Sequence, residues 1–293
     1  MLIPPKSGPA GPDAPNASEA PGVPKGPGTL HGTGAPLWPS LPPQLVETML
    51  LHNGSITLWP LHRARLLASA RALHYPLDAA TLDVWLRAQV QNAMALLRDR
   101  GERGTARDVT RGAPHDKKTG LDPSDPARRA GAGPSHAARL RLLLAHDGEL
   151  SLESFPQAAT PGPVRLGVAD ERLGTSARLN ADEFWLRHKT THRPWFDAAA
   201  QWLRAHPSYF DLIFRNTAGE LCEGSRCNLY VKNASGQWLT PPVACGLLPG
   251  VQRQALLDRG AVREARLTRG DLAGACAVRI SNAVRGWLDA RVD

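Results

Sequence analysis

Lysine is scarce in this chain. Among 35 basic side chains, only Lys6, Lys25, Lys117, Lys118, Lys189 and Lys232 are lysines, and the rest are arginine. Arginine stays protonated, whereas lysine can shed its proton and act as a nucleophilic amine. Any amine chemistry is therefore confined to six positions. Four of them lie in Pro/Gly-rich or Arg-rich stretches, and Lys232 precedes the turn Asn233-Ala234-Ser235-Gly236. Lys189, in Arg187-His188-Lys189-Thr190-Thr191-His192-Arg193, alone sits within a segment of folded character. Cysteine is also sparse: Cys222, Cys227, Cys245 and Cys276 form no Cys-x-x-Cys pair. Neither a zinc ribbon nor a thioredoxin-type site is expected, no metal is expected, and four reduced thiols suit a cytoplasmic protein. Long apolar runs are missing, so no membrane span is expected. The start, Met1-Leu2-Ile3-Pro4-Pro5-Lys6, lacks the apolar core of a secretory signal.

What is present is a 293-residue chain that is 42% hydrophobic, enough for one large domain or two smaller ones. The 26 prolines and 27 glycines are unevenly spread. Residues 1–44 are rich in Pro, Gly, Ala and Ser, cannot bury enough surface to offset ordering entropy, and are expected to be disordered. Residues 99–137 are Gly/Arg/Asp/Pro-rich without periodicity and are expected to be a disordered insertion. The segment carries eight basic and six acidic side chains, +2 of the chain's net +8. A basic arm gripping phosphate backbones is the rival account of that segment, weakened by its lack of interleaved aromatics.

The folded part divides into two α/β halves, 45–155 and 164–293, joined by a linker at 156–163. In the first, strands are expected at Leu45–Leu51 and Ile56–Leu58 around the turn His52-Asn53-Gly54-Ser55. Helices follow at Pro60–His74 and Asp78–Arg98, the latter with Leu82, Trp85, Leu86, Val90, Met94 and Leu97 on one face. A hairpin pairs Arg139–Leu144 with Leu150–Phe155. In the second half, strands are expected at Val164–Val168, Asp211–Arg215, Glu220–Val231, Trp238–Thr240, Val262–Leu267 and Val278–Asn282, the last followed by a turn at Ala283–Trp287. Helices are expected at Pro194–Ala205, at Gly250–Arg259 and after Thr268.

Four pieces share the logic of an aldehyde cofactor carrying a pyridine ring and a phosphate. Lys189 supplies an amine able to form a Schiff base. Glu223 supplies a carboxylate that can keep a pyridine nitrogen protonated, making the ring an electron sink. Leu248-Pro249-Gly250-Val251-Gln252 opens a helix whose free N–H groups and dipole suit a phosphate. Arg65 can pair with a phosphate bidentately.

In order along the chain these pieces resemble the class IV pyridoxal-phosphate enzymes, the branched-chain and D-amino-acid aminotransferase type. Within that class the chain is most similar to aminodeoxychorismate lyases, notably the lyase domains fused behind aminodeoxychorismate synthase. The resemblance is carried by Glu47-Thr48-Met49, by His62-Arg63-Ala64-Arg65-Leu66 with Ser69-Ala70, and by His188–Arg193 with Phe196-Asp197. It continues through Glu223-Gly224-Ser225, Asn228-Leu229, Leu247–Arg253 and Ser281–Trp287. It implies a two-domain fold with pyridoxal 5'-phosphate between the domains, and a homodimer. Lys189 would hold the cofactor covalently, with Glu223 at the pyridine nitrogen and Asn228 alongside. Arg65, the backbone of Val251 and Gln252, and the Asn282-Ala283 turn would hold the phosphate. Thr48, Arg193, Arg226 and Arg285 would meet a small amine substrate bearing carboxylates. The implied reaction is loss of pyruvate from aminodeoxychorismate to give 4-aminobenzoate, on the route to folate, with a synthase as a possible partner. Alternatives are a class IV aminotransferase and, remotely, a non-enzymatic nucleic-acid binder. The chain departs from the family in lacking the usual Gly/Asp-rich loop before Glu47, in placing Pro194 where tyrosine is common, and in having Gln252 where a hydroxyl is common.

Overall fold

The computed structural model describes Pro39, residues 41–108 and residues 137–293, with the backbone alone for 96–108. The described residues fall in one compact unit, within which two sheets each carry their own core.

The first lobe begins with β1 (Leu45–His52), β2 (Ser55–Ile56), α1 (Trp59–Ala72) and α2 (Ala79–Asp108), and ends with β3 (Ala137–Leu144) and β4 (Leu150–Pro156). Its sheet is antiparallel throughout, in the order β2-β1-β3-β4. Asn53 and Gly54 make the β1–β2 turn with φ of 49° and 80°, the left-handed region in which Asn and Gly are tolerated. Leu45, Met49 and Leu51 point from β1 into a core shared with Leu66 and Leu73 of the α1 region and Leu82 and Leu86 of α2. The period of two on the strand meets the 3.6 period on the helices.

The second lobe contains β5 (Val164–Val168), α3 (Ala169–Leu173), α4 (Asp197–Ala205), β6 (Asp211–Arg215), β7 (Leu221–Gly224) and β8 (Asn228–Lys232). It continues with β9 (Trp238–Thr240), α5 (Val251–Asp258), β10 (Arg263–Glu264), α6 (Arg269–Ala273), β11 (Ala277–Asn282) and β12 (Gly286–Val292). The strand order is β10-β9-β8-β11-β12-β5-β6-β7, and β7 also pairs with β8, so six strands close into a ring. Val164, Leu166, Ile213, Leu229 and Ile280 fill one core. Phe196, Ala199 and Leu203 pack against Leu212 and Phe214 in another.

Several expectations are corrected. Order begins before residue 45: Pro43 is buried, and its carbonyl accepts the Tyr75 hydroxyl. Residues 1–38 and 40, the bulk of the expected tail, lie outside the described residues. Helix α2 runs ten residues past Arg98, through Gly101 and Gly104, to Asp108. Isolated glycines weaken a helix by about 1 kcal/mol each without ending it, and this stretch has no proline. The remainder of the expected insertion, 109–136, lies outside the described residues. The strand after the Asn53-Gly54 turn stops at Ile56, because Leu58 takes a left-handed φ of 60° at the start of α1. The single strand expected over Glu220–Val231 is instead a hairpin broken at Ser225–Cys227, where Asp211 captures the backbone. The strand expected over Val262–Leu267 is only Arg263–Glu264. The region after Asn282 turns for three residues and then forms β12, pairing antiparallel to β11 and parallel to β5.

Candidate active site

Lys189 is fixed by its neighbours. A 3-10 turn over Phe184–Arg187, started by the Glu183 side chain accepting from Trp185 N at 3.2 Å, delivers the chain to the sheet. There Val46 N donates to the Lys189 carbonyl at 2.8 Å, Thr190 bridges to Leu45, and Thr191 N donates to Gln44 O at 2.9 Å. The His188 ring meets Ser69 Oγ of α1 at 3.0 Å. The segment is thus clamped to the first lobe on both sides of the lysine. Burial, then the guanidinium groups of Arg193 and Arg65, push the Lys189 amine down to about 7. A lysine held there is neutral often enough at physiological pH to be a nucleophile or a base.

Glu223 stands at the end of β7, directly opposite Asn228 across the β7–β8 hairpin. Its Oε1 accepts from Leu248 N at 2.9 Å and its Oε2 from Asn228 Nδ2 at 3.2 Å. Both donors are neutral, and among the described residues Glu223 has no ion pair. Burial pushes its carboxyl up to about 8.

The hairpin tip is held by Asp211, fully buried at the start of β6. Its Oδ1 accepts from Leu212 N at 2.9 Å, Ser225 N at 3.0 Å and Ser225 Oγ at 2.6 Å. Its Oδ2 accepts from Arg226 N at 3.0 Å and Cys227 Sγ at 3.1 Å. These donors explain why the strand breaks here. Gly224 is required as well, because a Cβ there would lie 2.5 Å from Asp211 Oδ2. The Ser225 carbonyl in turn accepts from Arg193, so Asp211 aims an arginine beside Lys189.

On the first-lobe side of the cavity lies Arg65 on α1. Its Nε and Nη2 donate to the two oxygens of buried Glu47 at 2.9 and 2.7 Å, and its Nη1 donates to Pro249 O at 3.0 Å. The His62 ring closes on Glu47 at 2.6 Å. Burial works to raise the Glu47 carboxyl, but Arg65 and then His62 outweigh it and hold the group down at about 2. The contact to Pro249 ties α1 to the mouth of α5, where Gly250 is the residue before the first helical turn. The Asn282 side chain accepts from Val284 N at 3.1 Å and Arg285 N at 2.9 Å, shaping the turn between β11 and β12.

All twelve residues singled out from the sequence line one cavity of about 280 Å³. Thr48 and Arg65 come from the first lobe. Lys189, Arg193, Glu223, Arg226, Asn228, Val251, Gln252, Asn282, Ala283 and Arg285 come from the second. The sequence reading gave no site role to Arg139 on the same wall or to Asp211 behind it, and took Glu47, Ser225, Gly250 and Ser281 only as parts of motifs. For Asp211 a signal existed, a carboxylate opening the apolar run Leu212-Ile213-Phe214. Arg139 carries none, because the alternation of β3 places Arg141 equivalently. Among the described residues no group of three or more His, Cys, Asp or Glu is disposed to hold a metal ion, and no helix is long and apolar enough to cross a membrane.

A closed six-stranded ring packed beside a four-stranded antiparallel lobe, with a cavity between them, matches solved class IV structures. A protein of Mesorhizobium loti, provisionally described as an amino-acid aminotransferase, superposes with a TM-score of 0.60 at 27% identity, over 86% of this chain and 100% of its own. The 4-amino-4-deoxychorismate lyase of Pseudomonas aeruginosa superposes with a TM-score of 0.60 at 20% identity, over 85% and 82%. Aminodeoxychorismate lyase of Saccharomyces cerevisiae is 34% identical over 89 residues, 29% of this chain and 24% of the yeast protein. The chain therefore matches only about a quarter of that curated relative. Residues 127–292, more than half of the chain, match the family described as amino-transferase class IV, and the chain belongs to that family. Its members are enzymes that depend on pyridoxal 5'-phosphate, which removes the non-enzymatic alternative.

The donor set fits that cofactor. Glu223 is a buried carboxyl bonded to neutral donors and without an ion pair among the described residues, a partner that a protonated ring nitrogen would supply. Lys189 is an enclosed amine held near neutrality. Arg65 directs three of its five N–H groups to Glu47 and Pro249, leaving two for an anion.

Proposed function

We propose that the chain is a 4-amino-4-deoxychorismate lyase, releasing pyruvate to leave 4-aminobenzoate for folate synthesis. The observation that carries this reading is the crowd of guanidinium groups beside the lysine. Arg139, Arg193, Arg226 and Arg285 all face the cavity that Lys189 enters. An amine bearing two carboxylates answers that charge, whereas an aliphatic amino acid offers one carboxylate and needs an apolar pocket. Leu248, Val251 and Val284 are the only large aliphatic residues on the cavity wall among the described residues.

Pyridoxal 5'-phosphate, when bound, supplies an electron sink conjugated to the amine-bearing carbon of the substrate. Lys189 would anchor it, Glu223 with Asn228 would face its ring nitrogen, and Arg65, the Val251 and Gln252 N–H groups and the Asn282-Ala283 turn would hold its phosphate. With its amine free, Lys189 Nζ would take the proton from the amine-bearing carbon of the substrate. The C–O bond to the enolpyruvyl group then breaks, Lys189 returns the proton to the departing group as pyruvate, and the ring aromatises. Arg193, Arg226 and Arg285 hold the carboxylates, and Thr48 closes the first-lobe side. Four free thiols support a cytoplasmic setting. A homodimer, a synthase partner, and lobes folding as domains 45–155 and 164–293 belong to the same proposal.

The test is incubation of the cofactor-loaded protein with aminodeoxychorismate, following 4-aminobenzoate and pyruvate by chromatography. Stoichiometric formation of both is expected. Sustained exchange between an amino donor, branched-chain or D-, and 2-oxoglutarate without 4-aminobenzoate would instead make the chain an aminotransferase.

A further inference from the structure

Beside the cavity lies a second, more open groove of about 910 Å³, and Arg226 and Arg285 stand on the walls of both. Arg165, Arg204 and Arg291 complete its charged lining. Among the described residues no Asp or Glu lines it, and of the five arginines only Arg165 has an ion pair, with Asp293. The arrangement is electrostatically costly. Arg165 and Arg291 are register partners in the parallel β5–β12 pairing, which sets two guanidinium groups side by side with only Asp293 to offset them. Burial, and then Arg226 and Arg139 nearby, pull Arg285 below its usual range. Five guanidinium groups converge on the groove and among the described residues only Arg165 has a carboxylate partner, so the other four mark a surface that awaits an anion.

The floor of the groove narrows the anion. Phe210 has the guanidinium carbons of Arg285 and Arg226 at 5.5 and 5.8 Å from its ring centre, and Tyr209 has that of Arg165 at 4.2 Å. Pro161, Pro163 and Leu203 add apolar surface. Flat aromatic floor with guanidinium rims suits a small unsaturated ring carrying two carboxylates better than a compact inorganic anion.

We propose that this groove is an entry site, where a flat dicarboxylate is captured before it passes Arg226 and Arg285 into the Lys189 cavity. The substrate class rests on the lyase reading above; the capture of ring dicarboxylates does not depend on which reaction follows.

Isophthalate is a suitable probe, being flat and doubly charged and having no amine to react. It would be titrated calorimetrically into the cofactor-loaded full chain. The double variant Arg204→Gln/Arg291→Gln removes two exposed side chains that line the groove and not the cavity. Its Kd for isophthalate should rise about tenfold, as expected for the loss of two focused charges. Arg259→Gln, which removes one charge lining neither space, should change it by less than about twofold. For whichever amine substrate is turned over, kcat/KM should fall with the binding while kcat stays constant. An unchanged Kd in the double variant, or equal weakening by Arg259→Gln, overturns the proposal. So does self-association that isophthalate reverses in sedimentation, since a second copy would then fill the groove. Absence of 4-aminobenzoate with the binding pattern intact would sink the lyase reading and leave the entry site standing.

Discussion

In the first lobe Glu47 accepts hydrogen bonds from Arg65 and His62. In the second, Glu223 accepts from a backbone amide and an asparagine. Both carboxyls are buried, 1% and 5% exposed, and burial alone raises both. A guanidinium and an imidazole reverse the outcome for Glu47, which is ionised from pH 2 upward. Neutral donors leave Glu223 raised to about 8. One residue type thus becomes a fixed anion that orients an arginine in the first lobe, and an acid held by neutral donors in the second. Lys189 is electrostatically coupled to both carboxyls, and the opposed tuning supports the proposal that a phosphate sits near Arg65 and a basic ring nitrogen near Glu223.

The sharpest way to break this picture is to remove the amine. Lys189→Ala should lower turnover by about a thousandfold or more, the scale of losing a combined nucleophile and general base. The visible absorbance of the cofactor-loaded protein should vanish with it. Residual turnover above a few percent would mean that the tuned amine is not the reacting one.

Arg65→Gln tests the first-lobe side. It leaves Glu47 charged and buried with His62 as its remaining partner, and breaking a buried pair from one side costs about 3–5 kcal/mol. Urea unfolding of the cofactor-free protein measures this. An effect below about 1 kcal/mol, the level of an exposed pair, would show that Glu47 is not organised by Arg65.

The two glutamates should also tilt stability with pH in opposite directions. The folded-state value of Glu47 is depressed from 4.5 to about 2, so its contribution is present above pH 4.5 and is lost as pH falls toward 2. That of Glu223 is raised from 4.5 to about 8, so its contribution is present below pH 4.5 and is lost as pH rises through 8. In the cofactor-free protein, Glu223→Gln should flatten the slope of unfolding free energy between those last two values, and Glu47→Gln the slope on the acid side. If Glu223→Gln leaves the neutral-side slope intact, the carboxyl is already ionised and the comparison fails.

Much of this was legible in the sequence. The helical period of α1 and α2, the Asn53-Gly54 turn and the scarcity of lysine all follow from local residue choice. The class resemblance placed the twelve cavity residues. What was illegible depends on distant partners. Nothing local marks Ser225–Cys227 as a break, because the carboxylate that bends it is Asp211, on another strand. β12 was missed because Gly286-Trp287-Leu288-Asp289-Ala290-Arg291 alternates weakly and is a strand by virtue of pairing with β11 and β5. The overlong α2 shows the reverse error, in which composition suggested disorder where backbone propensity tolerates a helix. The tuning of Glu47 and Glu223 could not be read at all, since it is a property of neighbours rather than of the residues themselves.

The smallest expected effect probes the seam between the two regions. Asn228, which bonds Glu223, packs against Gly250 at the mouth of α5, and the residue before Gly250 accepts from Arg65. A Cβ on Gly250 would lie 1.8 Å from Asn228 Oδ1, and φ there is −68°, so backbone conformation does not demand glycine. Only the close approach does. Gly250→Ala must therefore push Asn228 or the mouth of α5 aside, at a cost of about 1–3 kcal/mol typical of overpacking. Because Asn228 Nδ2 also donates to Leu248 O at 3.1 Å, the displacement spreads to the Leu248 amide that bonds Glu223. The variant should thus lose affinity for pyridoxal 5'-phosphate at both ends, while the double variant Gly250→Ala/Asn228→Ala, which removes the obstructing oxygen, should recover part of the stability in thermal unfolding. No recovery would place the strain elsewhere and disconnect the acid of the second lobe from the arginine of the first.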